Sequence, residues 1–215
     1  MTTTSQFKKQ WYFSYDPLDR SYDSFRLLTI QPGKYSAPLQ CTLSHERISS
    51  VQDGYSALSY TWGTRATERW IRLNGIPFMV QPSLFEALKG IRKEDEQIQI
   101  WADGICINQS DTKERNHQVG LMGKIYSGAK NVRVWLGPAA DDSDFVLEYV
   151  ERAEAQFQKE KAGEKLDDDP KPGEEEEKAF LEAFRALHRR PYWGRAWIKQ
   201  EVILAKELII HCGTK

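Results

Sequence analysis

The sequence has no uninterrupted apolar run near the ~20 residues that a membrane-spanning helix needs, so no membrane partner is expected. Its charges nearly cancel, 30 Lys and Arg against 31 Asp and Glu, which leaves no one-signed field to favour nucleic acid or anionic lipid. Cysteine is scarce: Cys41, Cys106 and Cys212 are widely spaced and odd in number. That argues against a disulfide framework and for a reducing compartment, with the cytoplasm as the expected location. The N-terminal stretch lacks the apolar segment of a secretory signal. The four histidines show no metal-ligand spacing among themselves or with the cysteines, so no metal site and no required cofactor are expected. No P-loop, G-x-G-x-x-G or G-x-S-x-G motif occurs. A nucleophilic Cys106 would need a histidine brought from elsewhere.

What is present is enough for a core: 215 residues, 40% of them hydrophobic, fit one large domain or a domain with extensions. Strands are predicted in "FRLLTIQPG" and "YSALSYTWG". "RWIRLNGIPFMV" reads as a hairpin turning at Asn74-Gly75. "QPSLFEALKGIRK" reads as a helix with Pro82 near its start and Leu84, Leu88 and Ile91 on one face. The strand "QIQIWAD" leads through a loop to a long helix with Val119, Met122, Ile125 and Tyr126 inward. "NVRVWLGP" is a further strand, "DDSDFVLEYVERAEAQFQ" and "AFLEAFRALHRR" are helices, "GRAWIKQEVILA" is another, and "ELIIHCG" is a last strand. Between the two middle helices, residues 159–178 are too polar to bury anything and read as a flexible acidic insertion, mobile and dispensable over 165–175. Strands alternating with helices predict an α/β fold with a mainly parallel sheet flanked by helices. Residues 1–50 read as a lead-in packing on a domain of residues 51–215. The chain stops just after a strand, from which a further C-terminal region is expected in the full protein.

Such sheets bind ligands outside the carboxyl ends of their strands. "SYTWGT" and "ADGICINQ" fall there, which singles out Trp62, Gly63, Asp103 and Asn108. Trp62 is set at a loop mouth, where an indole is poorly buried unless something stacks on it. Against this stands the plainer reading that Asp103 and Asn108 cap turns and that Gly63 and Gly104 are turn residues. Asp111 and Glu114 fit a capping box. In "PYWGRAWIKQEVILA", Trp193, Trp197 and Glu201 recur every four residues, which puts Trp197 and Glu201 on one side of a helix. A carboxylate among apolar neighbours is costly unless paired. Glu201 is therefore either functional or bridged to an arginine, Arg195 or one in another element. "HRRPYWGR" is short and reads as a helix end rather than a nucleic-acid patch.

Three blocks, "YSALSYTWG", "IWADGICINQSDTKERNHQVGLMGKIYSGAKNVRVWLG" and "YWGRAWIKQEVILA", resemble in content and order the signature blocks of the fungal heterokaryon-incompatibility (HET) domain. Ala102 and Gly104 around Asp103 are mild departures. HET domains are similar to Toll/interleukin-receptor (TIR) domains, so the resemblance implies a flavodoxin-like fold and a death-inducing role in fungal non-self recognition. Many TIR domains cleave NAD with a glutamate in a W-C-x-x-E pattern. "WIKQE" puts Trp197 and Glu201 at that spacing, with Ile198 in the cysteine position. The resemblance thus implies Glu201 as the catalytic carboxylate, NAD or a related nucleotide as substrate, and self-association. Trp62 would stack on a base, Arg195 would meet the pyrophosphate, and Asp103 or Asn108 would orient a ribose. Trp62, Asp103 and the start of the Glu201 helix are expected to share one crevice. The rival expectation is a non-catalytic TIR-like assembly module.

Overall fold

The computed structural model describes residues 12–63, 67–163 and 173–215. Its centre is one eight-stranded mixed sheet. In chain order the strands are β1 (Ser24–Ile30), β2 (Gln40–Arg47), β3 (Ser56–Tyr60), β4 (Arg69–Leu73), β5 (Ile76–Val80), β6 (Ile98–Trp101), β7 (Asn131–Trp135) and β8 (Leu208–His211). In space they run β5-β4-β2-β1-β6-β3-β7-β8. The half β6-β3-β7-β8 is parallel throughout, and in chain order it has the 2-1-3-4 arrangement of flavodoxin-like sheets. The other half is a mixture: β5/β4 and β2/β1 are antiparallel, β4/β2 is parallel, and β1 joins the halves antiparallel to β6. The expected α/β fold is present, with four of the seven strand pairings parallel and three of those four in one half.

The helices are α1 (Pro82–Ile91), a single turn α2 (Asp103–Cys106), α3 (Thr112–Gly128), α4 (Ser143–Lys161), α5 (Glu174–His188) and the short α6 (Ile198–Ile203). Local chemistry explains the clearest elements. Asn74 and Gly75 both take positive φ, 51° and 78°, as a two-residue hairpin turn requires. α1 starts on Pro82 and buries Leu84, Ala87, Leu88 and Ile91. β3, "SALSY", is buried along its whole length, as a central strand with both faces covered must be.

Several expectations need correction. Residues 1–50, expected to pack on the domain as a lead-in, supply β1 and β2 to the same sheet. β2 is not evident in the sequence, because in "QCTLSHER" only Cys41 and Leu43 carry an apolar alternation. α3 does bury Ile125 and Tyr126, but Val119 is exposed and the other buried positions on that helix include Glu114 and Gln118. Polar groups can face a core when they are paired: Gln118 Nε2 donates to the Ser24 carbonyl at 2.8 Å. The insertion assigned to 159–178 is helical at both ends, since α4 runs to Lys161 and α5 starts at Glu174 with four glutamates in its favourable first turn. The dispensable stretch assigned to 165–175 lies, up to residue 172, outside the described residues. Downstream, "GRAWIKQEVILA" is helical only over α6, preceded by a 3₁₀ turn at Pro191–Gly194. No described helix is long and apolar enough to cross a membrane.

Candidate functional site

At the carboxyl end of the parallel half, the segments after β3 and β6 meet. Trp62 Nε1 donates to Asp103 Oδ2 at 2.8 Å, and the Gly104 amide donates to Asp103 Oδ1 at 2.7 Å. Gly63 follows with φ 71°, in the left-handed region where glycine carries little strain. Asn108 takes the amide and hydroxyl of Ser110 on its side-chain oxygen, so it does shape a turn. Burial pushes the Asp103 carboxyl above its ordinary value of 3.8, with the Trp62, Tyr60 and Gly104 donors pulling the other way and the Glu201 charge adding to the rise. Trp62, Gly104 and Asn108 line a cleft of about 530 Å³ that also touches Tyr60 and Leu84.

Glu201 does not line this cleft. It is buried, at 1% exposure. Arg195 grips both of its oxygens, Nη1 to Oε2 at 2.8 Å and Nη2 to Oε1 at 2.9 Å. The Ser59 hydroxyl donates a short hydrogen bond to Oε2. Ser59 has one proton to give, so the 2.7 Å contact between its oxygen and the Tyr192 hydroxyl requires Tyr192 to donate. Arg195 Nη1 also reaches Ser59 Oγ at 3.1 Å. Burial works against the Arg195 charge, yet the bonds and charge of Glu201 outweigh it and raise the pKa.

Ser59 and Tyr60 are successive residues of β3 and so point to opposite faces of the sheet. Tyr60 lines the cleft, whereas Ser59 holds Glu201. Trp62 and Asp103 are thus brought together as expected, while Glu201 meets the end of β3 on the Ser59 side, near enough for its charge to act on Asp103. Trp197 also departs from expectation: it is 53% exposed while Glu201 is buried. Trp197 is the N-cap of α6, with helical dihedrals and a carbonyl that accepts from the Glu201 amide at 3.2 Å, so the helical spacing is present although the two side chains differ in burial.

A second buried carboxylate corrects the capping-box reading. Asp111 does cap α3, accepting from the Lys113 and Glu114 amides at 2.9 and 3.1 Å. Glu114, however, turns inward to Arg26 at 2.6 and 3.0 Å and to the Asn108 amide at 2.6 Å. An arginine inside the otherwise apolar "FRLLTI" was the available signal, since a charge on a central strand demands a buried partner. Ser59 and Tyr192 gave no comparable signal. Among the described residues no group of His, Cys, Asp and Glu is arranged to hold a metal ion.

Residues 55–201 match the family model for "Heterokaryon incompatibility protein (HET)". The chain belongs to the HET family. The matched span runs from Tyr55, ahead of β3, to Glu201 in α6, and so includes both sides of the β3 terminus. A curated relative, "Heterokaryon incompatibility protein 6, OR allele" from Neurospora crassa, is 31% identical over 242 residues, covering 94% of this HET chain and 35% of the relative. The chain thus spans about a third of that relative's length. No solved structure matches it significantly.

Proposed function

We propose that this HET chain is the cell-death effector region of a heterokaryon-incompatibility protein in fungal non-self recognition, and that it acts by hydrolysing NAD at the nicotinamide–ribose bond. The observation that carries the catalytic part is the setting of Glu201: a buried carboxylate at the carboxyl end of β3 whose counter-ion, Arg195, keeps 20% of its side chain exposed. A pyrophosphate, like a carboxylate, takes a guanidinium bidentately, and it can compete for Arg195. Its arrival at Arg195 releases the Glu201 oxygens toward a ribose.

The chemistry then needs one carboxylate. The bond from C1′ to the nicotinamide nitrogen breaks with both electrons going to the ring, whose cationic nitrogen leaves neutral and needs no proton. Glu201 stabilises the oxocarbenium-like ribose, and water adds at C1′ and loses its proton to solvent. TIR-like clustering into a self-associated form completes the proposal, with the cytoplasm as its setting.

A second reading is favoured by a specific observation, the opposite-face placement of Glu201 and the cleft. In that reading the Arg195–Glu201 pair is structural and the chain is a non-catalytic assembly module. Purified protein at high concentration, incubated with NAD and assayed for nicotinamide, separates the two. Glu201→Gln keeps size but removes the charge, and loss of one such electrostatic group lowers the rate by about 10²–10³. Nicotinamide release and toxicity on overexpression in yeast are expected to fall together, with the fold intact by circular dichroism. If Glu201→Gln kills cells as efficiently as the parent at matched expression, the assembly reading replaces the catalytic one.

A further inference from the structure

The cleft on the Tyr60 face is separate from the Glu201 cluster, and its chemistry points to a ligand of its own. At about 530 Å³ it is within the size range of small-molecule pockets. Its walls are largely aromatic and aliphatic, with Tyr60, Trp62 and Phe78 set around Leu84. Among the described lining residues the only charged one is Glu68, which is exposed, so these walls offer no cation to a phosphate.

Two lining residues carry buried polar atoms short of partners: Gln81 Oε1 has none, and the Tyr60 hydroxyl has only the Asp103 carboxylate beside it, without a well-formed hydrogen bond. Tyr60 is 1% exposed. Such orphans are uncommon in folded proteins and each carries a desolvation cost. Their characters are complementary. Gln81 Oε1 can only accept a hydrogen bond, and a buried tyrosine hydroxyl can donate one. Burial, and after it the neighbouring Asp103 carboxylate, drive the Tyr60 pKa well up, so the phenol keeps its proton. A group that presents an N–H beside a carbonyl oxygen supplies what both atoms lack.

The backbone around the cleft is also fixed rather than loose. Gln81 is the residue on which α1 begins, with Pro82 setting the first turn. Gly104 packs so closely that a Cβ there would stand 2.7 Å from the Tyr60 oxygen and 3.1 Å from Leu84. Trp62 is held by its bond to Asp103, which sets its indole as one wall of the cleft. A site on such anchored residues loses little freedom when it fills.

We infer that this cleft is a binding site for a neutral, planar heteroaromatic ring bearing an amide or lactam edge, the ring lying against Trp62 and the edge bonding Gln81 Oε1 and the Tyr60 hydroxyl. The inference does not rest on NAD hydrolysis, because none of Ser59, Tyr192, Arg195 and Glu201 lines the cleft.

The test is ligand-observed NMR titration of the purified chain with nicotinamide, uracil and benzene, the last having the ring without the edge. Nicotinamide or uracil is expected to bind at least about tenfold more tightly than benzene, one hydrogen bond's worth. Gln81→Leu and Tyr60→Phe are each expected to cut that affinity about tenfold while leaving the thermal midpoint level or slightly higher, since each removes an unpaired polar atom. Glu201→Gln is expected to leave binding unchanged, which keeps this site's fate apart from that of the catalytic reading. No binding of either amide-edged probe at millimolar concentration, equal binding of benzene, or full affinity in both cleft variants overturns the inference. Loss of binding in Glu201→Gln overturns the separateness of the site.

Discussion

Arg26–Glu114 and Arg195–Glu201 are the same two groups in the same bidentate geometry, one beneath the N-terminal half of the sheet and the other at the end of β3. Their surroundings differ. Arg26 spends every N–H it has: Nη1 and Nη2 on Glu114, the same nitrogens on the carbonyls of Cys106 and Asp16, and Nε on His45 at 3.2 Å. It is 1% exposed, and Tyr15 lies against its guanidinium. Arg195 contacts Glu201 and Ser59 and keeps an edge toward solvent. A saturated arginine can only be a pin, whereas an unsaturated one retains donors for something that arrives. Burial of the carboxylate does not tell the two apart; the donor count on the arginine does.

The sharpest way to break this contrast is to remove the charge from each carboxylate in turn. Glu114→Gln strands a saturated, fully buried guanidinium, and a loss of about 3–5 kcal/mol is expected in urea or thermal unfolding. Glu201→Gln leaves an arginine that can rehydrate through its exposed edge, so about 1–2 kcal/mol is expected. Equal losses in the two variants would show that Arg195 is as much a pin as Arg26.

A smaller effect sharpens the comparison from a third carboxylate. Asp103 is held by neutral donors, Trp62 Nε1 and the Gly104 amide, and burial raises its pKa above 3.8. The folded chain therefore holds the Asp103 proton more tightly than the unfolded chain does. Its ionisation costs stability, and that cost grows as pH rises from about 3.8 through the raised value and is absent below it. Asp103→Asn preserves an acceptor for Trp62 and removes the titration. At neutral pH it is expected to be level with the parent or more stable by up to about 1 kcal/mol. The difference should close on acidification, measured as unfolding midpoints over a pH series. A stability gain that persisted at low pH would place its origin outside the charge.

Much of the scaffold was legible because it is written locally. Asn74-Gly75 names its own turn, Pro82 its own helix start, and "YSALSYTWG" its own strand. Trp62 and Asp103 were legible as residues at strand ends, although the bond between them was not. What escaped was written across distance. Glu114 faces Arg26 88 residues away, and Ser59 faces Glu201 142 residues away, so neither spacing leaves a periodic trace. Helical spacing places Trp197 and Glu201 one turn apart but does not say which of the two is buried. β2 is hard to read because only Cys41 and Leu43 carry its apolar alternation.

The position of β1 has a consequence for anyone cutting this protein. The matched family span opens at residue 55, after β1 and β2, yet β1 is interior to the sheet and pairs with β6 through Leu28–Ile100, Thr29–Gln99 and Ile30–Ile98. A fragment begun at that boundary would bare the apolar edge of β6, which is the kind of unpaired strand that recruits other chains into aggregates. It would also leave Glu114 buried without Arg26. The smallest unit with a complete sheet is therefore longer than the stretch by which relatives are recognised, and aggregation of a fragment cut at residue 55 would report on a missing strand rather than on an unstable fold.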